Sequence, residues 1–161
     1  MRFFETHLHD ENGTLALGVA LSRALLPGLV LYLHGDLGAG KTTLTRALIH
    51  ACGYVGAVKS PTYTLLETYE LHFGPDTVEL VHFDLYRMGS PEEFLDAGFR
   101  EYFTHNNICI VEWPEKGDPV LPAPDLDMVI ETEGHGRHIK LHALSEQGSL
   151  CLSRLHFAPN L

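Results

Sequence analysis

The sequence predicts a three-layer α/β fold built on a largely parallel sheet, with antiparallel edge strands and a C-terminal β-hairpin. Three observations predict it. A glycine-rich turn at residues 35–40 stands between a short apolar run and an amphipathic one. Two later strand signals, 77–84 and 107–112, each end in a carboxylate, Asp84 and Glu112. Strand and helix signals alternate early and give way to a hairpin signal late, the order expected of a parallel sheet with an antiparallel edge. The 161 residues suit one domain, taken as residues 1–161.

Residues 10–26 predict the first helix: Asp10 suits the N-cap, Glu11 the first turn, and Pro27-Gly28 stops it. Residues 30–33 are apolar and bounded by turn residues, as in a strand buried on both faces. Residues 41–52 predict a helix with Leu44, Ala47, Leu48 and Ala51 on one face and Gly53 at its end. Residues 64–71 and 77–84 predict two strands joined by His72-Phe73-Gly74-Pro75-Asp76. Ser90-Pro91-Glu92-Glu93 begins a helix, with Ser at the N-cap and Pro at the first position. Its apolar face is expected from Leu95, Phe99, Tyr102 and Phe103. Residues 107–112 give another apolar strand. After Pro114, Pro119, Pro122 and Pro124, residues 126–131 and 138–144 predict a hairpin turned at Glu133-Gly134-His135-Gly136. Residues 149–155 are expected to add a last strand.

Eleven Lys+Arg against 21 Asp+Glu give a formal charge of −10. Such a chain has no basic stripe, which argues against nucleic-acid binding by counterion release but is compatible with an indirect role in RNA metabolism. Cys52, Cys109 and Cys151 are odd in number and far apart, so they read as reduced thiols and not as a disulfide framework or zinc site. Residues 1–11 carry Glu5 and Asp10 and lack the apolar core of a signal peptide. The apolar stretch at 24–33 is about half the length that spans a bilayer. A soluble, cytoplasmic protein is expected. His7, His9, His135, His138 and His142 fall on chain ends or a hairpin, a poor basis for the convergent ligands that a zinc site requires.

Gly35-Asp36-Leu37-Gly38-Ala39-Gly40-Lys41-Thr42 matches G-x-x-x-x-G-K-[ST]. It follows an apolar strand and opens a helix, as the mechanism of a phosphate-binding loop requires. Glycines let the loop curl so that backbone N–H groups face phosphate oxygens, and the helix N-terminus adds partial positive charge there. Lys41 is expected to bridge the terminal phosphates, Thr42 to coordinate Mg²⁺, and Thr43 to back the α-phosphate; Leu37, Gly38, Ala39 and Gly40 complete the cradle. The sheet is therefore expected to be P-loop NTPase-like. Asp84 and Glu112, at carboxyl ends of strands, belong in the crevice where ligands sit in open α/β sheets. One of them would hold the metal while the other orients water or adds a second metal contact. Thr62, in Ser60-Pro61-Thr62-Tyr63-Thr64, stands where a γ-phosphate-sensing loop is expected. Trp113 would stack on a base or plug the sheet edge, and Arg87 would meet phosphate or a structural partner.

Taken together, Gly35 to Thr43, Ser60-Pro61-Thr62-Tyr63-Thr64-Leu65, His82-Phe83-Asp84-Leu85-Tyr86-Arg87 and Val111-Glu112-Trp113-Pro114-Glu115 resemble the TsaE family of bacterial ATPases. The resemblance spans about residues 11–154. It implies an ATPase of tRNA threonylcarbamoyladenosine (t6A) biosynthesis, weak alone, which acts with TsaB and TsaD on adenosine 37 of tRNAs reading ANN codons. It implies ATP and Mg²⁺ as cofactors, with Lys41 and Thr42 on phosphate and metal, Glu112 as a metal contact and Asp84 as the acid needed for hydrolysis. It also implies Trp113 beside the site, with Glu11, Gly136 and Arg137 on the far side of the nucleotide. The alternative is a small-molecule P-loop kinase. Such kinases bring a lid of arginines over the transferred phosphate, whereas the seven arginines here are scattered. A nucleotide-bound scaffold without turnover is the third reading, against which both strand-end acids count.

Overall fold

The computed structural model describes residues 2–158. Its strands are β1 (Phe3–Leu8), β2 (Val30–His34), β3 (Leu66–Phe73), β4 (Asp76–Asp84), β5 (Asn107–Glu112), β6 (Leu126–Glu133) and β7 (Gly136–Ala143). Its helices are α1 (Glu11–Ala24), α2 (Lys41–Ala51), α3 (Pro91–Asp96) and α4 (Glu146–Ser153). The strands form one sheet in the order β1-β7-β6-β2-β5-β4-β3. β6, β2, β5 and β4 run parallel through its centre. The flanking pairs, β7 on β6, β1 on β7 and β3 on β4, are antiparallel.

Side-chain alternation along the parallel strands builds the three layers. Leu31 and Leu33 of β2, Leu80 of β4 and Ile108 and Ile110 of β5 face Leu17, Leu21, Leu44 and Leu48 of α1 and α2. Their sequence neighbours Val30, Val81, Phe83, Cys109 and Val111 face the opposite layer, where α3 brings Phe94 and a 3-10 turn brings Phe99. Both faces of the sheet's centre, at β2, β5 and the end of β4, are thereby largely removed from water, and apolar burial on both sides there is the main driving force for the fold. Asp10 caps α1 by accepting a hydrogen bond from the Gly13 N–H at 3.1 Å. α1 presses onto α2 at Gly18, where a Cβ would stand 2.7 Å from Cβ of Ala47. No helix among the described residues is long and apolar enough to cross a membrane.

Four elements depart from expectation. Residues 149–155 do not form a strand: Glu146–Ser153 is a helix, its N-terminus capped by the Ser145 hydroxyl accepting from the Gly148 N–H at 3.0 Å. α3 stops after Asp96, where Gly98 takes a left-handed φ of 73°. Its core anchor is Phe94, fully buried, whereas Leu95 is 44% exposed. The β3–β4 hairpin is tighter than expected, with Phe73 paired to Asp76 across Gly74-Pro75. Gly74 supplies the positive φ (61°) that such two-residue turns use. No sequence signal announces β1, an edge strand on β7 in which only Leu8 is fully buried.

Candidate functional site

The turn between β2 and α2 carries the phosphate-loop motif on the expected framework. Gly38 and Gly40 have φ of 80° and 108°. A Cβ on Gly38 would meet nothing within 4 Å, so the need for glycine there is conformational and not a matter of space. Gly40 is the N-cap of α2 and makes no side-chain cap, so the helix presents its first N–H groups and its positive dipole end toward the cleft. Lys41 donates to the Gly35 carbonyl at the far side of the turn. Arg137 of β7 braces the loop from behind: its Nε donates to the Ala39 carbonyl at 2.7 Å and its Nη2 to the Gly38 carbonyl at 3.2 Å.

β4 and β5 deliver the two acids. Asp84 and Glu112 are opposite one another in the parallel register, at the carboxyl ends of their strands. By strand alternation they share the face of Leu80 and Ile110, the face covered by α2. Asp84 is 6% and Glu112 2% exposed. The Thr42 hydroxyl donates to Glu112 Oε2 at 3.4 Å. Asp84 accepts the Tyr86 N–H at 3.0 Å. Burial pushes the Asp84 carboxyl above its ordinary range, opposed by the Tyr86 N–H and reinforced by the charge of Glu112. Burial likewise lowers the Lys41 ammonium, against the opposing pull of Glu112 and Asp84.

Trp113 adopts a left-handed backbone, φ 57°, which turns its ring back over the loop. The Lys41 ammonium stands 3.8 Å from the ring centroid, a cation–π contact, and Tyr86 packs on the same ring at 5.0 Å. The 60–65 segment approaches from the β3 side. The Ser60 and Thr62 hydroxyls lie 2.7 Å apart, and the Leu65 carbonyl accepts the Asp84 N–H at 2.9 Å. Arg87 stacks over Tyr63, 4.5 Å from its centroid, on the outer side of this segment.

These elements enclose a cleft of about 440 Å³. Of the residues singled out from sequence, Glu11, Leu37, Gly38, Gly40, Lys41, Thr42, Thr43, Thr62, Asp84, Glu112, Trp113 and Arg137 line it. Ala39 and Gly136 do not: Ala39 is turned into the core, and a Cβ on Gly136 would fall 2.1 Å from the Leu8 carbonyl oxygen, inside the sheet. Asp10, Thr14 and His135 also line the cleft and carried no motif to announce them. The donor set suits a nucleotide with a hard divalent cation. Thr42, Asp84 and Glu112 offer oxygen ligands, and two buried carboxylates beside one ammonium leave negative charge for a cation to neutralise.

A family model described as "Threonylcarbamoyl adenosine biosynthesis protein TsaE" matches residues 8–139. The chain belongs to the TsaE family. The matched TsaE span contains every residue that lines the cleft. The chain is 40% identical over 158 residues to the tRNA threonylcarbamoyladenosine biosynthesis protein TsaE of Haemophilus influenzae, covering 95% of this chain and 98% of that one. The TsaE of Bacillus subtilis is 41% identical over 108 residues, 67% of this chain and 65% of that one. Among solved structures, the crystal structure of Bacillus subtilis YdiB superposes with a TM-score of 0.78 at 28% identity, covering 96% of this chain and 94% of that one. The parallel core and antiparallel edges are thus those of a TsaE-like sheet.

Proposed function

We propose that this TsaE-family protein binds ATP with Mg²⁺ and hydrolyses it, in the cytoplasm, in support of t6A formation at adenosine 37 of tRNAs reading ANN codons, acting with TsaB and TsaD. The observation that carries the reading is the convergence of Lys41, Thr42, Asp84 and Glu112 on one face of the sheet at the mouth of the phosphate loop. The loop N–H groups and Lys41 receive the phosphate chain. Thr42 and Glu112 are placed to hold Mg²⁺, with Asp84 beside them. Bound Mg²⁺ would neutralise charge developing on the phosphate oxygens. Asp84, its carboxylate made more basic by burial, is placed to orient the attacking water and accept its proton. Trp113 and Thr62 close opposite sides of the cleft around the terminal phosphate.

A phosphotransferase reading finds no support in the arginines. Arg137 alone among them lines the cleft, and its guanidinium is spent on the Gly38, Ala39 and Gly136 carbonyls. The test is phosphate release from ATP by the purified protein, alone and with TsaB and TsaD. The expected result is slow turnover that rises on adding the partners and is abolished by Lys41→Ala through loss of nucleotide binding. Turnover that is indifferent to the partners but rises with a small metabolite would favour the kinase.

A further inference from the structure

His82 is wholly buried in the middle of the sheet, and although it opens the His82-to-Arg87 segment, no role has been given to its side chain. It lies two residues before Asp84 on β4, so alternation turns it to the same face, and it stands opposite Ile110, two residues before Glu112 on β5. Its Nε2 is 2.5 Å from Glu112 Oε2. A carboxylate has only lone pairs to offer, so Nε2 carries the proton and donates. The other ring nitrogen, Nδ1, is buried with no hydrogen-bond partner. A buried polar ring with one nitrogen unmatched is a poor choice for filling a core that Leu or Met would fill without that penalty. The ring is therefore placed for the sake of its other nitrogen.

The geometry points to His82 as a positioning residue that fixes Glu112 for the divalent cation. Two donors, His82 Nε2 and the Thr42 hydroxyl, address the same carboxylate oxygen, Oε2. Oε1 is left without a protein donor among the described residues and is free to meet a cation. Without the imidazole, the two-methylene side chain of Glu112 would have several rotamers to choose from, and Thr42 alone, at 3.4 Å, is a weak restraint. Partners of metal ligands act in this way elsewhere, and their loss lowers metal affinity or activity about 10- to 100-fold. The inference rests on the Mg²⁺-dependent ATPase reading given above.

The test compares His82→Gln with His82→Asn. Gln places an amide N–H near the position of Nε2, whereas Asn reaches only as far as Nδ1, and both bury a similar amide. Mg²⁺ is titrated against protein saturated with a non-hydrolysable ATP analogue, with the fluorescence of Trp113, the sole tryptophan, as the signal. The half-saturating Mg²⁺ concentration is expected to rise about tenfold or more in His82→Asn and to stay within about threefold of the parent in His82→Gln. Analogue affinity in EDTA is expected to be unchanged in both. If His82→Asn does not fold, His82→Met, which fills the space without a donor, takes its place. Equal losses in His82→Gln and the variant that cannot reach Glu112, no loss in either, or a failure of both His82→Asn and His82→Met to fold would give the ring a purely structural role and overturn the proposal. Parent protein that neither responds to Mg²⁺ nor hydrolyses ATP would instead overturn the ATPase reading itself.

Discussion

Asp84 sits where an ionised carboxylate is disfavoured. Its pKa is raised mainly by burial, so the folded state binds the proton more tightly than the unfolded chain does. The sign follows: ionised Asp84 opposes folding at neutral pH, and its cost is relieved as pH falls through the raised value. Asp84→Asn keeps an acceptor for the Tyr86 N–H and removes the charge, so it is expected to raise the melting temperature measured in EDTA while lowering ATP turnover by roughly 10² or more. Unchanged turnover would remove Asp84 from the chemistry; a lowered melting temperature would show that its charge is well paired. At this scale the sequence was informative where a residue broke a pattern. A carboxylate at the end of an apolar strand is conspicuous, as is a glycine–lysine pair after one. His82 interrupts the buried face of β4 between Leu80 and Asp84, but the sequence does not say which neighbour it meets, and only the register with β5 shows what it faces. Ala39 is expected at the nucleotide from the phosphate-loop motif and Gly136 from the family resemblance; the side chain of the first is turned inward, and the second lies in a strand with no room for a side chain.

β2 ends in His34, which ties the strand leading into the phosphate loop to β6. Its Nε2 is 2.6 Å from Asp127, and Glu115 lies 3.6 Å from the other nitrogen. The Asp127 hydrogen bond raises its pKa, against a smaller opposing effect of burial. A histidine whose folded pKa is raised contributes stability below about pH 6.5, and that contribution is lost as pH climbs through the folded value. The urea midpoint of the parent is therefore expected to exceed that of His34→Gln by more at pH 6 than at pH 8. A difference independent of pH would mean that the ion pair contributes nothing. Elements with a full period of apolar residues and a clear stop, such as α1, α2, β2 and β5, were legible from sequence. α3 is legible at its start, Ser90-Pro91, and Phe99, Tyr102 and Phe103 do reach the core, but Phe94 takes the place expected of Leu95 because a six-residue helix is too short to define a stripe. α4 reads as a strand because Leu150-Cys151-Leu152 is a compact apolar run, whereas the deciding features are the Ser145 cap and Gly148 packed against the Asp125 carbonyl. β1 has no alternating apolar pattern in Phe3-Phe4-Glu5-Thr6-His7-Leu8; its order comes from the hydrogen bonds that β7 supplies.

The whole molecule carries an excess of ten negative charges, so its working partners are expected to be proteins with complementary surfaces and not the tRNA backbone itself. The 60–65 segment links the cleft to the exterior: Thr62 lines the cleft, while Tyr63 is 81% exposed beside it. ATP bound against Thr62 is therefore expected to change the surface around Tyr63. The affinity for the TsaB–TsaD pair, measured by calorimetry, should differ between ATP analogue, ADP and no nucleotide. Equal affinities in the three states would detach the segment from partner binding. The sheet order has a further consequence, for the timing of assembly on the ribosome. Of the seven strands, β1 is made before the others and pairs only with β7, and α1, which follows it, contributes Glu11 to a cleft whose loop is braced by Arg137, also on β7. A nascent chain can thus emerge with its phosphate loop, both acids and most of its sheet in place and still lack the brace behind that loop. Completion of the cleft coincides with the arrival of the β6–β7 hairpin, so products truncated before it are left with an unfinished cleft and an unpaired β1 for proteases to find.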